Sequence, residues 1–343
     1  MTTIAFAGGA SGGHLTPALA ICEQLPPGFE PLFLSCGRPI EREMLAGFGD
    51  RYRALPHDAG RAGASPLERL RNHRTAVRAA KGHLVKSRAT GVFGLGSYAS
   101  IPGVLAASEL SLPIVLLEQN AVPGQATELL APLAARTLVA LPLATSLPRS
   151  TVIGNPVRTD FRGGRSPSKC LLVLGGSQGA ATLNRQLPRL LASCPLEGWT
   201  ISHQCGRGAL EETKTAYAAA KLSADVFETS DNLAEQLAKA GIVVCRAGAS
   251  TLFELAASRV PAVLVPDPNA IRDHQSLNAA AAGVDVCEER HLDRLPERLR
   301  PLLTDRRLRA WRSHQIARLD RPDAASEAVR TMLRLIERRS VAA

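Results

Sequence analysis

The stretch IAFAGGASGGH, residues 4–14, decides the fold: a short apolar run passes directly into six residues of glycine, alanine and serine and ends on a histidine. A second stretch, CLLVLGGSQGA at residues 170–180, repeats the plan near the middle of the chain. Each reads as a strand, a glycine-rich turn and the start of a helix. Glycines there let backbone amides approach a phosphate at the helix N-terminus, where the helix dipole also favours negative charge. A bare strand-to-helix turn reads the same locally, so the signal lies in the two occurring at matching places.

Around them, short Leu-rich or β-branched runs alternate with longer helical patterns: Pro31 to Leu34, Gly91 to Leu95, Ile114 to Leu117, Thr200 to His203, Ile242 to Cys245 and Ala262 to Val265. Strands alternating with helices mean βαβ units and parallel sheets. A length of 343 residues favours two domains of roughly 150 residues each, and two lobes imply a cleft. The stretch Gly154 to Pro167, rich in glycine, proline and basic residues, reads as the linker. The fold class expected is α/β with two Rossmann-like parallel-sheet domains. Their expected extents are 1–157 and 158–322, with a last helix over 323–343 packing back toward the N-terminal domain.

Composition narrows the function. No run approaches the ~18 apolar residues of a spanning helix, and the first strand begins almost at Met1, so neither a membrane span nor a secretory signal is expected. Seven cysteines without a Cys-x-x-Cys pair suit a reducing cytoplasm better than a disulfide framework or a zinc site. A net charge of +10 favours an anionic partner without choosing among nucleic acid, phospholipid and phosphorylated substrate. Neither turn is a P-loop, because the Lys-Ser/Thr pair is missing, and the first lacks the Gly-x-Gly-x-x-Gly spacing of a dinucleotide site.

Specific motifs then appear in fixed order: Gly12-Gly13-His14 with Pro17 to Ala20, Gly94-x-Gly96-x-Tyr98-x-Ser100-x-Pro102, Glu118-Gln119-Asn120, and Gly154-Asn155-Pro156-Val157-Arg158. They continue with Gly175 to Ala180 and Leu183-Asn184, Cys245-Arg246-x-Gly248-Ala249 with Glu254, and His274-Gln275-x-x-Asn278-Ala279. Over residues 4 to 282 the chain resembles the MurG family, transferases that add N-acetylglucosamine to lipid I in peptidoglycan synthesis. The resemblance implies the GT-B type of fold, an inverting transfer from UDP-GlcNAc to a polyprenyl-pyrophosphate acceptor, and a cytoplasmic enzyme peripheral on the inner face of the membrane. Ala10 and Ser11 depart from the family's usual Gly and Thr, Thr127 from a common Asn, and Glu228 to Asp231 from an aromatic residue before paired acids, where Phe227 is the substitute.

Glycosyl transfer needs a leaving group held by positive potential, an oriented sugar and a base for the acceptor hydroxyl. On the donor side, Ser177, Gln178, Gly179, Gly248 and Ala249 would present amides to the diphosphate and Arg158 would add charge. By resemblance Glu254 would accept from the ribose hydroxyls. Gln275 and Asn278, three apart, share a helix face and with His274 suit sugar hydroxyls. Ser11, Gly12, Gly13 and Asn120 complete the donor set. His14, at the first turn of its helix, is the candidate base, and Glu118 is its rival. Gly13, His14, Tyr98, Ser100, Gln119 and Asn120 would line the acceptor side. No Asp-x-Asp motif is present, so no metal and no cofactor is expected, UDP-GlcNAc being a substrate.

Residues 67–88 read as a helix with seven basic residues, from Arg69 to Arg88, against the single acid Glu68, interleaved with Leu67, Leu70, Val77, Leu84 and Val85. The pattern suits an anionic lipid surface. Scarce aromatic residues argue against nucleic acid. A GT-B enzyme with another acceptor, a UDP-GlcNAc epimerase, a Rossmann oxidoreductase and a non-catalytic sugar-nucleotide binder remain as other readings.

Overall fold

The apolar runs form strands because their side chains are buried on both faces, as the continuous hydrophobicity of parallel strands requires. In the computed structural model, which describes residues 1–56, 66–176, 178–230 and 232–342, they build two all-parallel sheets. The first comprises β1 (Thr2–Ala7), β2 (Phe29–Ser35), β3 (Tyr52–Ala54), β4 (Ala89–Gly94), β5 (Ile114–Glu118), β6 (Arg136–Val139) and β7 (Ser150–Val152), ordered β3-β2-β1-β4-β5-β6-β7. The second comprises β8 (Cys170–Leu174), β9 (Thr200–Gln204), β10 (Asp225–Phe227), β11 (Ile242–Cys245), β12 (Ala262–Leu264) and β13 (Asp285–Val286), ordered β10-β9-β8-β11-β12-β13.

In both sheets the strand order reverses beside the strand that feeds the glycine turn: between β1 and β4 in one, between β8 and β11 in the other. Loops leaving the carboxyl ends of two such strands diverge, and the crevice they leave is where open parallel sheets bind ligands. The matching sequence stretches therefore occupy matching topological positions.

The chain divides into two compact units, Met1–Arg158 with Arg321–Ala343, and Thr159–Asp320. In the first, Phe6 stacks between Phe33 and Phe93 at 5.2 Å to each, the centre of a core in which each large side chain contributes about 1.5–3 kcal/mol. The terminal helix Ala324–Ala342 joins that core through Ala328 and Met332, both fully buried. Gly91 leaves the room: a Cβ there would lie 2.4 Å from the Met332 sulfur. The segment expected to be a loose linker is packed. Ile153, Asn155, Val157 and Phe161 are all buried, because Gly154 (φ +84) brings the backbone against Arg321, and Phe161 O accepts from Ser258 Oγ at 3.2 Å.

The basic helix spans Pro66–Lys86. Of the apolar residues named for a lipid surface, Leu84 is buried and Val77 packs partly buried on the same core as Ala80, while Val85 is exposed. Side chains of residues 66–70 are outside those described.

Candidate active site

In the first unit the turn after β1 is held by a residue that the sequence reading passed over. Gly8 and Gly9 take φ of +137° and +147°, and a Cβ on Gly9 would sit 2.5 Å from Glu41 Oε1. Glu41 is fully buried. Its Oε1 accepts from Ala10 N at 2.6 Å, and its Oε2 accepts from Arg38 N at 2.7 Å and Ser35 Oγ at 3.0 Å. With the Cys36 thiol donating weakly to Oε1 at 3.8 Å, four donors to one carboxylate compensate its burial. They also hold Ala10 at φ +68°, a conformation that costs a residue with a Cβ roughly 1 kcal/mol.

Ser11 then caps the helix Gly12–Cys22 by position only. Its hydroxyl turns from the backbone and meets His14 Nδ1 at 2.8 Å. The other edge of the imidazole lies along Gly96, where a Cβ would come within 3.3 Å of His14 Cδ2 and 3.6 Å of Nε2. Ser97, at φ +58°, donates to Gly9 O at 3.1 Å and ties the turn after β4 to the turn after β1. His14 is thus placed by both loops of the switch point.

Two expected acceptor residues serve structure instead. Ser100 is fully buried and donates to Ser97 O at 2.8 Å, closing the turn that starts the helix Ile101–Glu109, whereas its neighbour Tyr98 is half exposed. Gln119 is buried and donates to Leu95 O at 3.3 Å. Glu118, the rival base, is 3% exposed, and its carboxylate is already engaged: Oε1 accepts from Asn120 N at 3.1 Å and Asn120 Nδ2 at 3.3 Å, Oε2 from Gly124 N at 2.9 Å. It clamps the loop after β5, and a base so occupied is poorly placed to receive a proton. Asn120 is partly exposed.

In the second unit the turn after β8 is built almost wholly of backbone. Gly176 and Gly179 take φ of +77° and +75°. Gly175 N donates to Gln204 O at 2.9 Å, a Cβ on Gly179 would lie 2.5 Å from Cys205 O, and one on Gly206 2.3 Å from Gly179 N. Two turns approach there as closely as glycine allows. Gln178 is exposed, and Ser177 lies outside the described residues, as does Asp231.

Beside it, Gly248 is the N-cap of the helix Ala249–Ala257, so the cap position itself carries no side chain to compete for the dipole and first amides of that helix. Glu254 is 7% exposed, one turn further on, and its charge, after burial itself, helps push the Cys245 thiol up to about 12, which places the carboxylate by the end of β11. Gln275 and Asn278 share a face of the helix His274–Ala282, but that face turns inward. Gln275 Oε1 accepts from Ala247 N at 3.1 Å and Asp267 N at 3.0 Å, and fully buried Asn278 donates to Ala247 O at 3.2 Å. Together they bracket Ala247 and fix the turn before Gly248. His274 Nδ1 donates to Ile271 O at 2.9 Å, leaving Nε2 as an acceptor for a hydroxyl. Arg246, 2.5 Å from Glu289 Oε2, and Thr182, donating to Glu289 Oε1 at 2.9 Å, join the turns after β8 and β11 through one carboxylate. Arg158, partly buried, ends the first unit's main segment. Among the described residues no group of three or more His, Cys, Asp or Glu side chains is placed to hold a metal ion.

Two parallel-sheet units, each with a glycine turn at its switch point, are the architecture of the GT-B fold. The chain is 38% identical over 294 residues to the UDP-N-acetylglucosamine–N-acetylmuramyl-(pentapeptide) pyrophosphoryl-undecaprenol N-acetylglucosamine transferase of Alcanivorax borkumensis, covering 81% of each. To the transferase of the same name from Acidithiobacillus ferrooxidans it is 36% identical over 94% of this chain and 95% of that one. The crystal structure of Acinetobacter baumannii MurG superposes with a TM-score of 0.78 at 29% identity, covering 97% of this chain and all of that one. UDP-GlcNAc 2-epimerase of Neisseria meningitidis, at 12% identity and a TM-score of 0.68, shares the fold alone. With the glycosyltransferase family 28 N-terminal domain matched over residues 4–139 and the C-terminal domain over 170–327, the chain belongs to that family, and within it to the MurG transferases.

Proposed function

We propose that this chain transfers N-acetylglucosamine from UDP-GlcNAc to undecaprenyl-pyrophosphoryl-MurNAc-pentapeptide, lipid I, giving lipid II. The observation that carries the reading is a glycine turn that delivers a histidine on one sheet, paired with a glycine turn and a helix start with glycine at its N-cap on the other, in a chain of the MurG family. The second unit holds the donor. The amides of Gln178 and of the helix start at Gly248 and Ala249 receive the diphosphate, with Gly179, whose own amide donates to Gly176 O at 3.1 Å, shaping the turn and Arg158 adding charge. Glu254 accepts from the ribose hydroxyls, and His274 Nε2 from the sugar. Gln275 and Asn278 act through Ala247, by setting the turn on which the phosphates rest.

The acceptor hydroxyl attacks the anomeric carbon as the bond to the UDP oxygen breaks, with inversion and no covalent sugar-enzyme intermediate. His14 takes the acceptor's proton. For Nε2 to be the basic atom, Nδ1 must carry hydrogen and donate to Ser11, and the 2.8 Å contact permits that tautomer. Purified protein given UDP-GlcNAc and lipid I should yield lipid II and UDP. Formation of a sugar epimer in the absence of acceptor would replace this reading with the epimerase one.

The described chain has no helix long and apolar enough to cross a membrane. The acceptor is reached from the cytoplasmic face through the surface around the helix Pro66–Lys86. Arg71, Arg74, Arg78 and Lys86 are exposed there, and a groove of about 640 Å³ runs beside them, lined by His73, Val77, Leu105 and Leu133 among others. Each cation near an anionic surface contributes about 1 kcal/mol. With Leu84 spent on the core and four cations exposed, attachment is chiefly electrostatic, and sedimentation with anionic vesicles should fall steeply with salt. Sedimentation indifferent to salt and to lipid charge would remove this surface from the proposal.

A further inference from the structure

One polar cluster lies outside the machinery above. Behind the turn after β8, His203 on β9 is fully buried and both its ring nitrogens are partnered: Nδ1 lies 2.9 Å from Tyr217 Oη, and Nε2 lies 3.1 Å from Asn184 Oδ1. Asn184 Nδ2 donates to Cys205 O at 2.8 Å. That donation settles the rest. The amide nitrogen faces a carbonyl, so the amide oxygen faces His203, and Nε2 must carry the hydrogen. A neutral ring then has a bare Nδ1, to which the Tyr217 hydroxyl donates. Burial drives the His203 pKa down to about 4, so the ring stays neutral at physiological pH.

The chain of bonds ends at the carbonyl over which Gly179 sits, the one a Cβ on Gly179 would strike at 2.5 Å. Tyr217, on the helix Leu210–Ala219, and Asn184, on the helix Ala181–Leu191, thus converge on the peptide that seats the phosphate-facing turn. The bonding is costly to interrupt, since each buried polar atom left alone costs about 1–3 kcal/mol.

We propose that Tyr217, His203 and Asn184 form a proton-ordered relay that positions the donor turn by fixing the Cys205 carbonyl beneath Gly179. They are positioning residues and touch no substrate. The proposal rests on the donor being held at Gln178 and Gly179, and it adds that donor affinity depends on a hydroxyl two side chains behind that turn.

The test compares three variants of the full chain by calorimetry with UDP-GlcNAc and by donor and acceptor KM. Tyr217→Phe should raise the donor dissociation constant and donor KM about five- to tenfold, leaving the acceptor KM unmoved. Leu303→Ala controls for lost stability. It lies on the helix Leu295–Thr304, toward the amino-terminal end of β9, where Arg309 donates to Leu303 O at 3.2 Å and stacks over Trp199, just before that strand. It should lower the melting temperature at least as much without changing donor affinity. Gly179→Ala tests the donor site itself and should weaken binding further still. If Gly179→Ala weakens donor binding and Tyr217→Phe does not, the relay is overturned and the donor site stands; if neither does, both fall. Nitrogen-15 NMR of the wild-type chain gives a check that needs no variant to fold: His203 should show hydrogen on Nε2 and a bare Nδ1, and the reverse tautomer would overturn the relay.

Discussion

The turns at residues 8–13 and 175–179 leave equivalent strands at equivalent switch points, yet they are fastened by opposite means. The first is gripped by a buried carboxylate, Glu41, which takes the Ala10 amide for itself and holds a non-glycine residue at φ +68°. The second is backed by neutral groups, and among its described residues the left-handed positions, Gly176 and Gly179, are glycines and no buried carboxylate accepts from its amides. A negative charge behind a turn works against a bound diphosphate and in favour of a cation. On this account we propose that the two turns are not a duplicated phosphate site. The neutral-backed turn suits the departing UDP, and the carboxylate-backed turn suits a histidine that becomes positively charged as it takes a proton, offsetting the penalty that a helix N-terminus places on imidazolium.

That contrast can be broken at the clamp. Glu41→Gln keeps one oxygen acceptor and puts an NH₂ in place of the other, against either the Ala10 amide or the Arg38 amide and Ser35 hydroxyl. It should cost about 2–3 kcal/mol of stability and lower turnover, while the folded fraction binds UDP-GlcNAc as the wild type does. Denaturant unfolding with donor titration reads both, and a weakened donor affinity would mean the first turn carries the diphosphate after all.

The neutral backing of the second turn has a pH signature. The folded pKa of His203, about 4, lies below its ordinary 6.5, so the unfolded chain binds the proton that the folded chain refuses. The associated stability is complete above pH 6.5 and is lost as pH falls toward 4, amounting to about 2 kcal/mol between pH 7 and 5. His203→Gln should flatten the unfolding free energy across that window by this amount. An unchanged slope would mean that the ring is not neutral in the fold.

The smallest effect tests the strain. Ala10→Gly relieves the left-handed penalty at Ala10 and gives back part of it as chain entropy, for a net gain of at most ~1 kcal/mol. A loss of stability would show that Ala10 is not held against its preference.

Much of this was legible in the sequence. Both sheets announced themselves through continuous apolar runs, and both turns through their glycines. Five strands escaped: Tyr52–Ala54, Ser150–Val152, Asp225–Phe227 and Asp285–Val286 are sheet edges of two or three residues, Ser150–Val152 with all three exposed, and the interior Arg136–Val139 has only four residues. The clamps escaped for another reason. Glu41 and Ala10 are 31 residues apart, His203 and Asn184 19, and no local spacing signals such a pairing. Spacing put Gln275 and Asn278 on one helix face correctly. It did not say that the face looks at Ala247, just as a motif named Ser100 without saying that its hydroxyl closes a turn.

The division of labour between the units is tested most directly by UDP-GlcNAc calorimetry on His14→Ala and Glu254→Ala side by side. Glu254→Ala should bind the donor at least tenfold more weakly. His14→Ala should bind it within about twofold of wild type while losing turnover by roughly 10²–10⁴-fold, the usual contribution of a positioned base. Unaltered donor affinity in Glu254→Ala, or undiminished turnover in His14→Ala, would contradict the assignment of donor to the second unit and base to the first.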